Sequence, residues 1–322
     1  MKIGVIGGGA WGTSLALIAA RSGNNVTIWS RNDQLASEIN TAHTNTRYLP
    51  KINLLSSIKA TSDIKEMLAQ NALLLSIPAQ NIRQLCLDLL ELKLPHNVIL
   101  IICSKGIEQD SLKLMSEVVA EVLPMNTIAI LSGPNFAYPV AQDLPAITSI
   151  AASNIKLSFS LADAFSNVNF RIYANDDIIG TQIFGAVKNV LAIATGIAIG
   201  KNLGENAKAA IVSRGICEIN ALSIAMGGKI ETLLSPAAIG DVHLTCSSLA
   251  SRNTSYGIAL ASGEVQKTCL VEGYFTSKSI SQLAAKFAVE MPICQAVYQV
   301  THGYISLEVA IRELLNRPNK LT

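Results

Sequence analysis

The chain contains 322 residues, of which 50% are hydrophobic and 15% are charged, and its net charge at pH 7 is +2. This length predicts two hydrophobic cores, because chains longer than about 250 to 300 residues divide into domains, and the apolar content excludes intrinsic disorder over most of the length. The charged residues form no basic run, which argues against nucleic acid and anionic membrane surfaces as partners.

Short apolar runs rich in β-branched residues alternate with helical patterns through the first half of the chain. Several runs are apolar at nearly every position, as expected for strands that helices cover on both faces of a sheet. This alternation predicts an α/β fold with a doubly wound, mainly parallel sheet of the Rossmann type. In chain order the runs are KIGVIG, NVTIW, ALLLSI, NVILIIC, TIAILS, AITSIAA and NFRIY.

A glycine-rich turn follows the first of these runs. Gly7, Gly9 and Gly12 form the pattern G-x-G-x-x-G between a strand and an apolar helix. Such glycines permit a tight turn, a close approach of the backbone to a pyrophosphate, and close packing of the helix on the strand. The context predicts a dinucleotide site; the alternative is a tight turn that holds no ligand.

The second strand ends without the acidic residue that usually binds the ribose 2′-hydroxyl of NAD. It is followed instead by Ser30, Arg31 and Asn32. An arginine at this position can bind a 2′-phosphate, which favours NADP(H), or use of both NADP(H) and NAD(H), over NAD(H) alone. The alternative is that Arg31 is an ordinary solvated loop residue.

Two later strand ends carry polar or glycine-rich segments. Lys105 follows the fourth run in SKG, and Gly133 follows the fifth in LSGPNFA. Because the carboxyl ends of strands form the ligand crevice of an open α/β sheet, Lys105 is a candidate for contact with the nicotinamide or with an anionic substrate. A solvated lysine and a plain strand-to-helix turn are the alternatives.

Helical patterns replace the strand-like runs after Tyr173. The prediction is therefore a Rossmann domain over residues 1–173 and an all-helical domain over residues 174–322. We also expect a homodimer formed through the helical domain, because its apolar helices are long and numerous. Helices are predicted near residues 177 to 198, 206 to 226 and 279 to 289.

The mean hydropathy of +0.37 raises the question of a membrane span. The most apolar stretch, Val190 to Gly200, has about half of the residues that a spanning helix needs, so we expect a buried helix. The first residues lead directly into the glycine-rich turn, which does not fit a secretory signal, and we expect a cytoplasmic protein. Six cysteines and four histidines show no CxxC or HxxxH spacing, so neither a metal site nor a disulfide framework is indicated.

Two polar residues of the second half stand in apolar surroundings. Lys188 lies inside the helical run IFGAVKNVLAIATGIA, and burial lowers the pKa of a lysine toward the range useful for proton transfer. Asp241 lies in AIGDVHLTC, where its carboxylate requires a cationic or amide partner, and Lys188 is a candidate for that partner. The alternative for Lys188 is a side chain that extends to solvent from a partly exposed face.

The segment SLASRNTSYG suggests a phosphate site at the start of a helix. Ser251 is the predicted N-cap, and Arg252 and Asn253 occupy the first turn, so free amides, a guanidinium and a side-chain amide converge there. An ordinary capped surface helix is the alternative.

Taken in order, these motifs resemble the bacterial NAD(P)-dependent glycerol-3-phosphate dehydrogenase family over nearly the whole chain. The resemblance implies an enzyme that reduces dihydroxyacetone phosphate reversibly to sn-glycerol 3-phosphate, the backbone precursor of glycerophospholipids. The motifs are IGGGAWGTSLA, the lysine-glycine of CSKGIE, LSGPNFA, GAVKNVLAIATGI, ENAKAAIVSRG, IGDVHLTC, SLASRN, VEGYFT and VEMPICQAVY.

The resemblance also implies roles for individual residues. Lys188 would be the catalytic acid/base, oriented by Asp241. Contacts with the triose phosphate are implied for Lys105, Gly133, Lys188, Asp241, Ser251, Arg252 and Asn253. Contacts with the cofactor are implied for Trp11, Arg31, Tyr48, Lys105, Ala137, Arg252, Leu270 and Glu272.

Three positions depart from the family pattern. Ala10 stands where a serine or threonine is common, so a side-chain hydrogen bond to the cofactor is lost. Asn135 replaces the usual serine or threonine of its loop, which leaves the substrate contact at that position open. Leu270 replaces a frequent valine.

Two other functions are compatible with a Rossmann domain followed by helices. A 3-hydroxyacid or sugar-acid dehydrogenase would leave Arg252 and Asn253 without a phosphate to bind. A non-catalytic dinucleotide sensor would have no use for Lys188 and Asp241 in apolar surroundings, although a fold alone never determines a function.

Overall fold

A computed structural model describes residues 1–264 and 271–318 of the chain. Within these ranges, residues 1–175 contain ten strands and six α-helices. The strands are β1 (Lys2–Ile6), β2 (Asn25–Trp29), β3 (Thr44–Asn45), β4 (Leu49–Asn53), β5 (Lys59–Thr61), β6 (Ala72–Leu75), β7 (Ile99–Ile102), β8 (Ile128–Ser132), β9 (Ala146–Ala152) and β10 (Phe170–Asn175). The helices are α1 (Ala10–Arg21), α2 (Asp33–Ala42), α3 (Ile82–Glu91), α4 (Met115–Val122), α5 (Ala137–Ala141) and α6 (Ile155–Phe165).

Eight of these strands form one sheet in the order β10-β9-β8-β7-β6-β1-β2-β5. Neighbouring strands are parallel except for β8 and β9, which pair antiparallel. Both faces of the sheet are buried: Leu74 packs in one hydrophobic cluster, whereas Leu73 and Leu75 pack in another. The predicted doubly wound, mainly parallel sheet is confirmed, and each of the seven predicted runs contains a strand.

Three short strands were not predicted. β5 pairs with β2 at the edge of the sheet, and β3 pairs with β4 in a separate two-stranded sheet. Their sequences TN, LPKIN and KAT are brief and largely polar, so they carry little of the apolar alternation that identifies a strand. Pairing with neighbouring backbone, which is a tertiary effect, determines them instead.

The described residues of the second half are helical, as predicted. The third predicted helix was placed too late, because it begins at Glu272 and not near residue 279. The α-helices are α7 (Ile178–Gly200), α8 (Gly204–Ala225), α9 (Asp241–Ser247), α10 (Arg252–Ser262), α11 (Glu272–Lys286), α12 (Pro292–Thr301) and α13 (Leu307–Leu315). The division of the chain near residue 173 stays a prediction, and the last strand ends at Asn175.

Helix α7 is the centre of the helical core. Its 23 residues are long and apolar enough to cross a membrane, but 89% of its apolar window is buried inside the protein, as in the core helix of a globular domain. Helix α10 crosses it at very close range, because a Cβ at Gly196 would lie 2.1 Å from the carbonyl oxygen of Thr254, and a Cβ at Gly257 would lie 2.2 Å from that of Ile193. These two glycines therefore place the start of α10 beside α7.

Candidate active site

The glycine-rich turn joins β1 to α1. Gly7 has a φ of +117°, and an added Cβ would lie 2.3 Å from Ser76 O; a Cβ on Gly12 would lie 1.9 Å from Gly7 O. Among the residues that the structure describes, none comes within 4 Å of a Cβ placed on Gly9, and no side chain caps α1 at this glycine. The first amides of α1 are therefore accessible to an anion, which fits the pyrophosphate of a dinucleotide.

Three predicted cofactor residues lie on elements next to this turn. Trp11 is half-buried in the first turn of α1. Arg31 is exposed directly after β2, which pairs with β1, so the arginine and the turn lie at the same edge of the sheet. Tyr48 is 42% exposed in the turn between β3 and β4, and the guanidinium of Arg47 lies 5.1 Å from the centre of its ring.

Two lysines converge on one buried carboxylate where the sheet meets α7 and α9. Asp241 is fully buried, and its Oδ2 lies 2.5 Å from Lys105 Nζ. Its Oδ1 accepts a hydrogen bond from Lys188 Nζ. Lys105, which follows β7, also donates to the carbonyl oxygen of Gly133 after β8, at 3.2 Å. With both lysines and Asp241 charged, the group has a net positive charge that suits an anionic substrate.

Lys188 is 7% exposed and belongs to the face of α7 that packs against α9. Its Nζ donates to Thr245 Oγ1 at 2.8 Å as well as to Asp241, so two of the three N–H groups of the ammonium are used among the described residues and the third can serve a substrate. Burial lowers the pKa of Lys188 to about 8, and the attraction of Asp241 opposes part of this fall. The lysine can therefore exist in both protonation states near neutral pH, as an acid/base catalyst requires.

The start of α10 has the predicted N-cap, whereas the side-chain amide of Asn253 is directed into the protein. Ser251 Oγ caps the helix by accepting a hydrogen bond from Thr254 N at 3.3 Å. Arg252 is exposed in the first turn. Asn253 is 9% exposed and donates through Nδ2 to Asn189 Oδ1 at 3.0 Å, while its own Oδ1 accepts from Gly273 N at 2.9 Å. The side chain of Asn253 thus joins α10 to α7 and α11.

Two segments that follow β8 hold backbone groups of the predicted site. Gly133 has Thr148 directly beside it, because a Cβ at Gly133 would lie 2.6 Å from Thr148 Oγ1. The carbonyl oxygen of Ala137, the first residue of α5, accepts a hydrogen bond from Ser14 Oγ at 2.8 Å, which fixes α5 against α1. Asn135 donates through Nδ2 to the carbonyl oxygen of Ile147 at 3.0 Å, so the residue that departs from the family pattern stabilises the loop itself.

The last predicted cofactor contacts lie around the start of α11. Leu270 lies outside the described residues. Glu272 packs against Gly106, where a Cβ would lie 2.5 Å from the glutamate Oε1, and thus adjoins the segment that contains Lys105. Burial raises the pKa of the Glu272 carboxyl to about 7, while the charge of Arg252 acts to lower it.

Thr245 and Asn189 were missed as site residues from the sequence. Thr245 lies four residues after Asp241 in α9, a spacing that puts both side chains on one face of a helix, and this signal could have identified it. Asn189 follows Lys188 directly and points to α10, which only the crossing of the two helices reveals. The pairing of Lys105 with Asp241 joins residues 136 positions apart and has no sequence signal.

Comparison with known proteins gives two family matches that together span most of the chain. Residues 2–158 match the profile described as NAD-dependent glycerol-3-phosphate dehydrogenase N-terminus. Residues 177–312 match the profile described as the C-terminus of the same enzyme. The two matches cover the elements that hold the glycine-rich turn and the lysine–aspartate group.

Similar full-length proteins carry the same name. A glycerol-3-phosphate dehydrogenase [NAD(P)+] of Parvibaculum lavamentivorans is 41% identical over 98% of this chain and 97% of its own length. One from Caulobacter vibrioides is 43% identical, with 99% and 98% of the two chains covered. The crystal structure of glycerol-3-phosphate dehydrogenase from Coxiella burnetii has a TM-score of 0.92 at 36% identity, covering 98% of this chain and 99% of that one.

Proposed function

The chain belongs to the NAD-dependent glycerol-3-phosphate dehydrogenase family, and we propose from this premise that Lys188, Asp241 and Lys105 form its catalytic centre. The reaction is the reversible, NAD(P)H-dependent reduction of dihydroxyacetone phosphate to sn-glycerol 3-phosphate. The observation that carries the proposal is the convergence of two lysines on one fully buried carboxylate.

Lys188 has the properties of the proton donor. When bound, NAD(P)H would supply the hydride for the carbonyl carbon of the substrate, and negative charge would develop on the carbonyl oxygen. The free N–H of Lys188 stabilises that charge and transfers its proton to the oxygen, while Asp241 and Thr245 hold the ammonium in place. In the reverse direction the neutral lysine accepts the hydroxyl proton.

Lys105 and the start of α10 account for binding of the phosphorylated substrate. Lys105 donates to Asp241 and Gly133 and retains one N–H for the substrate. The capped end of α10 contributes free amides and the exposed guanidinium of Arg252, which can bind a phosphate through two parallel hydrogen bonds. A phosphate-free 3-hydroxyacid would offer these groups a carboxylate only, so the phosphate dependence of turnover distinguishes the two substrates.

An absorbance assay tests the proposal. Purified protein is mixed with dihydroxyacetone phosphate and either NADPH or NADH, and the loss of nicotinamide absorbance is followed. We expect steady oxidation of the cofactor that depends on the phosphorylated substrate. Cofactor oxidation with a 3-oxoacid at an equal or greater rate would instead indicate a hydroxyacid dehydrogenase. An equal rate with unphosphorylated dihydroxyacetone would show that the phosphate is not recognised, and cofactor binding without turnover would indicate a sensor.

The rate should depend on pH through Lys188. Because the pKa of Lys188 is lowered to about 8, the fraction of protonated lysine falls as the pH rises through that value. The kcat/KM for dihydroxyacetone phosphate should therefore decrease above pH 8, whereas that for oxidation of glycerol 3-phosphate should increase over the same interval. Initial rates in both directions with saturating cofactor measure this. Parallel pH profiles in the two directions would contradict the assignment.

Arg31 is proposed to distinguish NADPH from NADH. Its exposed guanidinium follows β2, where it can pair with an adenosine 2′-phosphate that only NADPH carries. We expect Arg31→Ala to raise the KM for NADPH by about tenfold and to leave that for NADH nearly unchanged, which corresponds to the loss of one charge-assisted contact. Steady-state titration of each cofactor tests this, and equal effects on both would refute it.

We further propose that the protein is cytoplasmic and forms a homodimer through the helical domain. An apolar cavity of about 890 Å³ lies among α7, α8, α12 and α13, and its walls include the exposed side chains of Leu203 and Leu315. A second copy covering this surface would remove them from water. A mass measurement in solution by light scattering tests the dimer, and the mass of a single chain would exclude it.

A further inference from the structure

Asn45 is a fully buried polar side chain to which the mechanism above gives no role. It belongs to β3, outside the large sheet, yet its Nδ2 donates to the carbonyl oxygen of Gly8 at 2.9 Å and to Thr13 Oγ1 at 2.8 Å. Its Oδ1 accepts a hydrogen bond from Tyr48 N at 3.3 Å. One side chain thus connects the glycine-rich turn, the first turn of α1 and the turn between β3 and β4.

The bond to Gly8 determines how the glycine-rich turn is oriented. A trans peptide is planar, with its C=O and N–H pointing in opposite directions, so fixing the carbonyl of Gly8 also fixes the N–H of Gly9. Gly9 is the uncapped start of α1 beside open space. Asn45 therefore holds the Gly8–Gly9 peptide with its carbonyl oxygen directed away from an anion above the turn. The N–H of Gly9, which is the positive end of the same peptide, is then directed toward that anion.

The bond to Thr13 fixes the other side of the same turn. Thr13 N donates to Gly9 O at 2.9 Å in the first hydrogen bond of α1, and the side chain of Thr13 is fully buried. Because Asn45 Nδ2 holds Gly8 and Thr13 together, the turn cannot open without breaking two buried hydrogen bonds, each of which is costly to leave unmade.

We propose that Asn45 is a positioning residue for the cofactor: it presets the glycine-rich turn for the pyrophosphate and links it to the segment that carries Tyr48. This inference depends on one part of the proposed function, namely that the glycine-rich turn binds a dinucleotide. The pyrophosphate is common to NADH and NADPH, so Asn45 affects both equally, in contrast to Arg31.

Asn126 provides a matched control. It is also buried, at 7% exposure, and its Nδ2 also donates to two backbone carbonyl oxygens, those of Pro95 and Val98, both at 2.9 Å. It precedes β8 and therefore lies at the amino end of the parallel strands, whereas the glycine-rich turn lies at their carboxyl end. An Asn→Asp change at either position removes the same two donors and keeps the shape of the side chain.

The experiment measures equilibrium binding of NADPH and of NADH by fluorescence titration without substrate, together with thermal unfolding. We expect Asn45→Asp to weaken binding of both cofactors by about tenfold or more, because it removes both donors and adds a negative charge near the expected position of the pyrophosphate. Asn45→Ala removes the same donors without adding a charge and should weaken both by a smaller factor. Asn126→Asp should lower the melting temperature but leave both dissociation constants within about twofold of those of the parent protein, since its bonds are remote from the turn.

Unchanged binding in a folded Asn45 variant would overturn the inference, and so would an equal weakening in Asn126→Asp. If the aspartate variant does not fold, Asn45→Ala decides the matter in the same titration. Because substrate is absent, failure of the protein to reduce dihydroxyacetone phosphate would refute the proposed reaction while leaving these binding ratios valid.

Discussion

Replacement of Lys188 by methionine is expected to lower kcat by a factor on the order of 10² to 10⁴, the usual contribution of a positioned acid or base. Lys188 is buried between α7 and α9, and its ammonium is held by Asp241 and Thr245. Methionine retains the apolar stem and approximately the volume of lysine, and the buried carboxylate of Asp241 keeps Lys105 as a cationic partner, so the fold should survive. The dissociation constant of NADPH, measured by fluorescence, should remain nearly the same.

Lys201→Met is the matched control for this variant. Lys201 is the C-cap of the same helix, α7, and its Nζ lies 3.2 Å from Glu308 Oε1 in a partly exposed ion pair. Such pairs contribute about 0 to 1 kcal/mol, so turnover should be unaffected. If Lys188→Met works within a few-fold of the parent rate, Lys188 does not transfer the proton and the mechanism is wrong.

Asp241→Asn is expected to damage both stability and turnover. The change leaves the ammonium groups of Lys105 and Lys188 close together without the carboxylate that both contact. Removing one partner of a buried ion pair typically costs about 3 to 5 kcal/mol of unfolding free energy. Asp241 also raises the pKa of Lys188, so its loss should lower that pKa further and reduce the protonated fraction of the lysine at neutral pH.

The corresponding measurement is the pH dependence of kcat/KM for the reduction of dihydroxyacetone phosphate. The decrease that we expect near pH 8 in the parent protein should move to lower pH in Asp241→Asn. Asp177→Asn is the control: this carboxylate is 3% exposed and accepts hydrogen bonds from Gly180 N, Lys229 N and Thr232 Oγ1. It should destabilise the protein without moving the pH profile. A profile that stays in place in Asp241→Asn would show that Asp241 has only a structural role.

The sequence by itself predicted the features that depend on local pattern. Short apolar runs rich in β-branched residues identified seven of the eight strands of the large sheet, and several of these runs are apolar at nearly every position because helices cover both faces of the sheet. Gly7, Gly9 and Gly12 identified the turn: an added Cβ would clash with backbone at Gly7 and Gly12, and Gly9 leaves the space beside the helix start open. Ser251 was recognised as an N-cap because capping is a contact within four residues.

The tertiary structure alone determined the features that depend on residues distant in the chain. Lys105, Lys188 and Asp241 each had a local signal, but their convergence on one buried carboxylate requires the sheet, α7 and α9 to pack together. The strand that contains Asn45 is too short and polar to be predicted, and its role follows only from contacts with Gly8 and Thr13. Local propensity describes a residue and its close neighbours in sequence, whereas these contacts arise from the packing of remote segments.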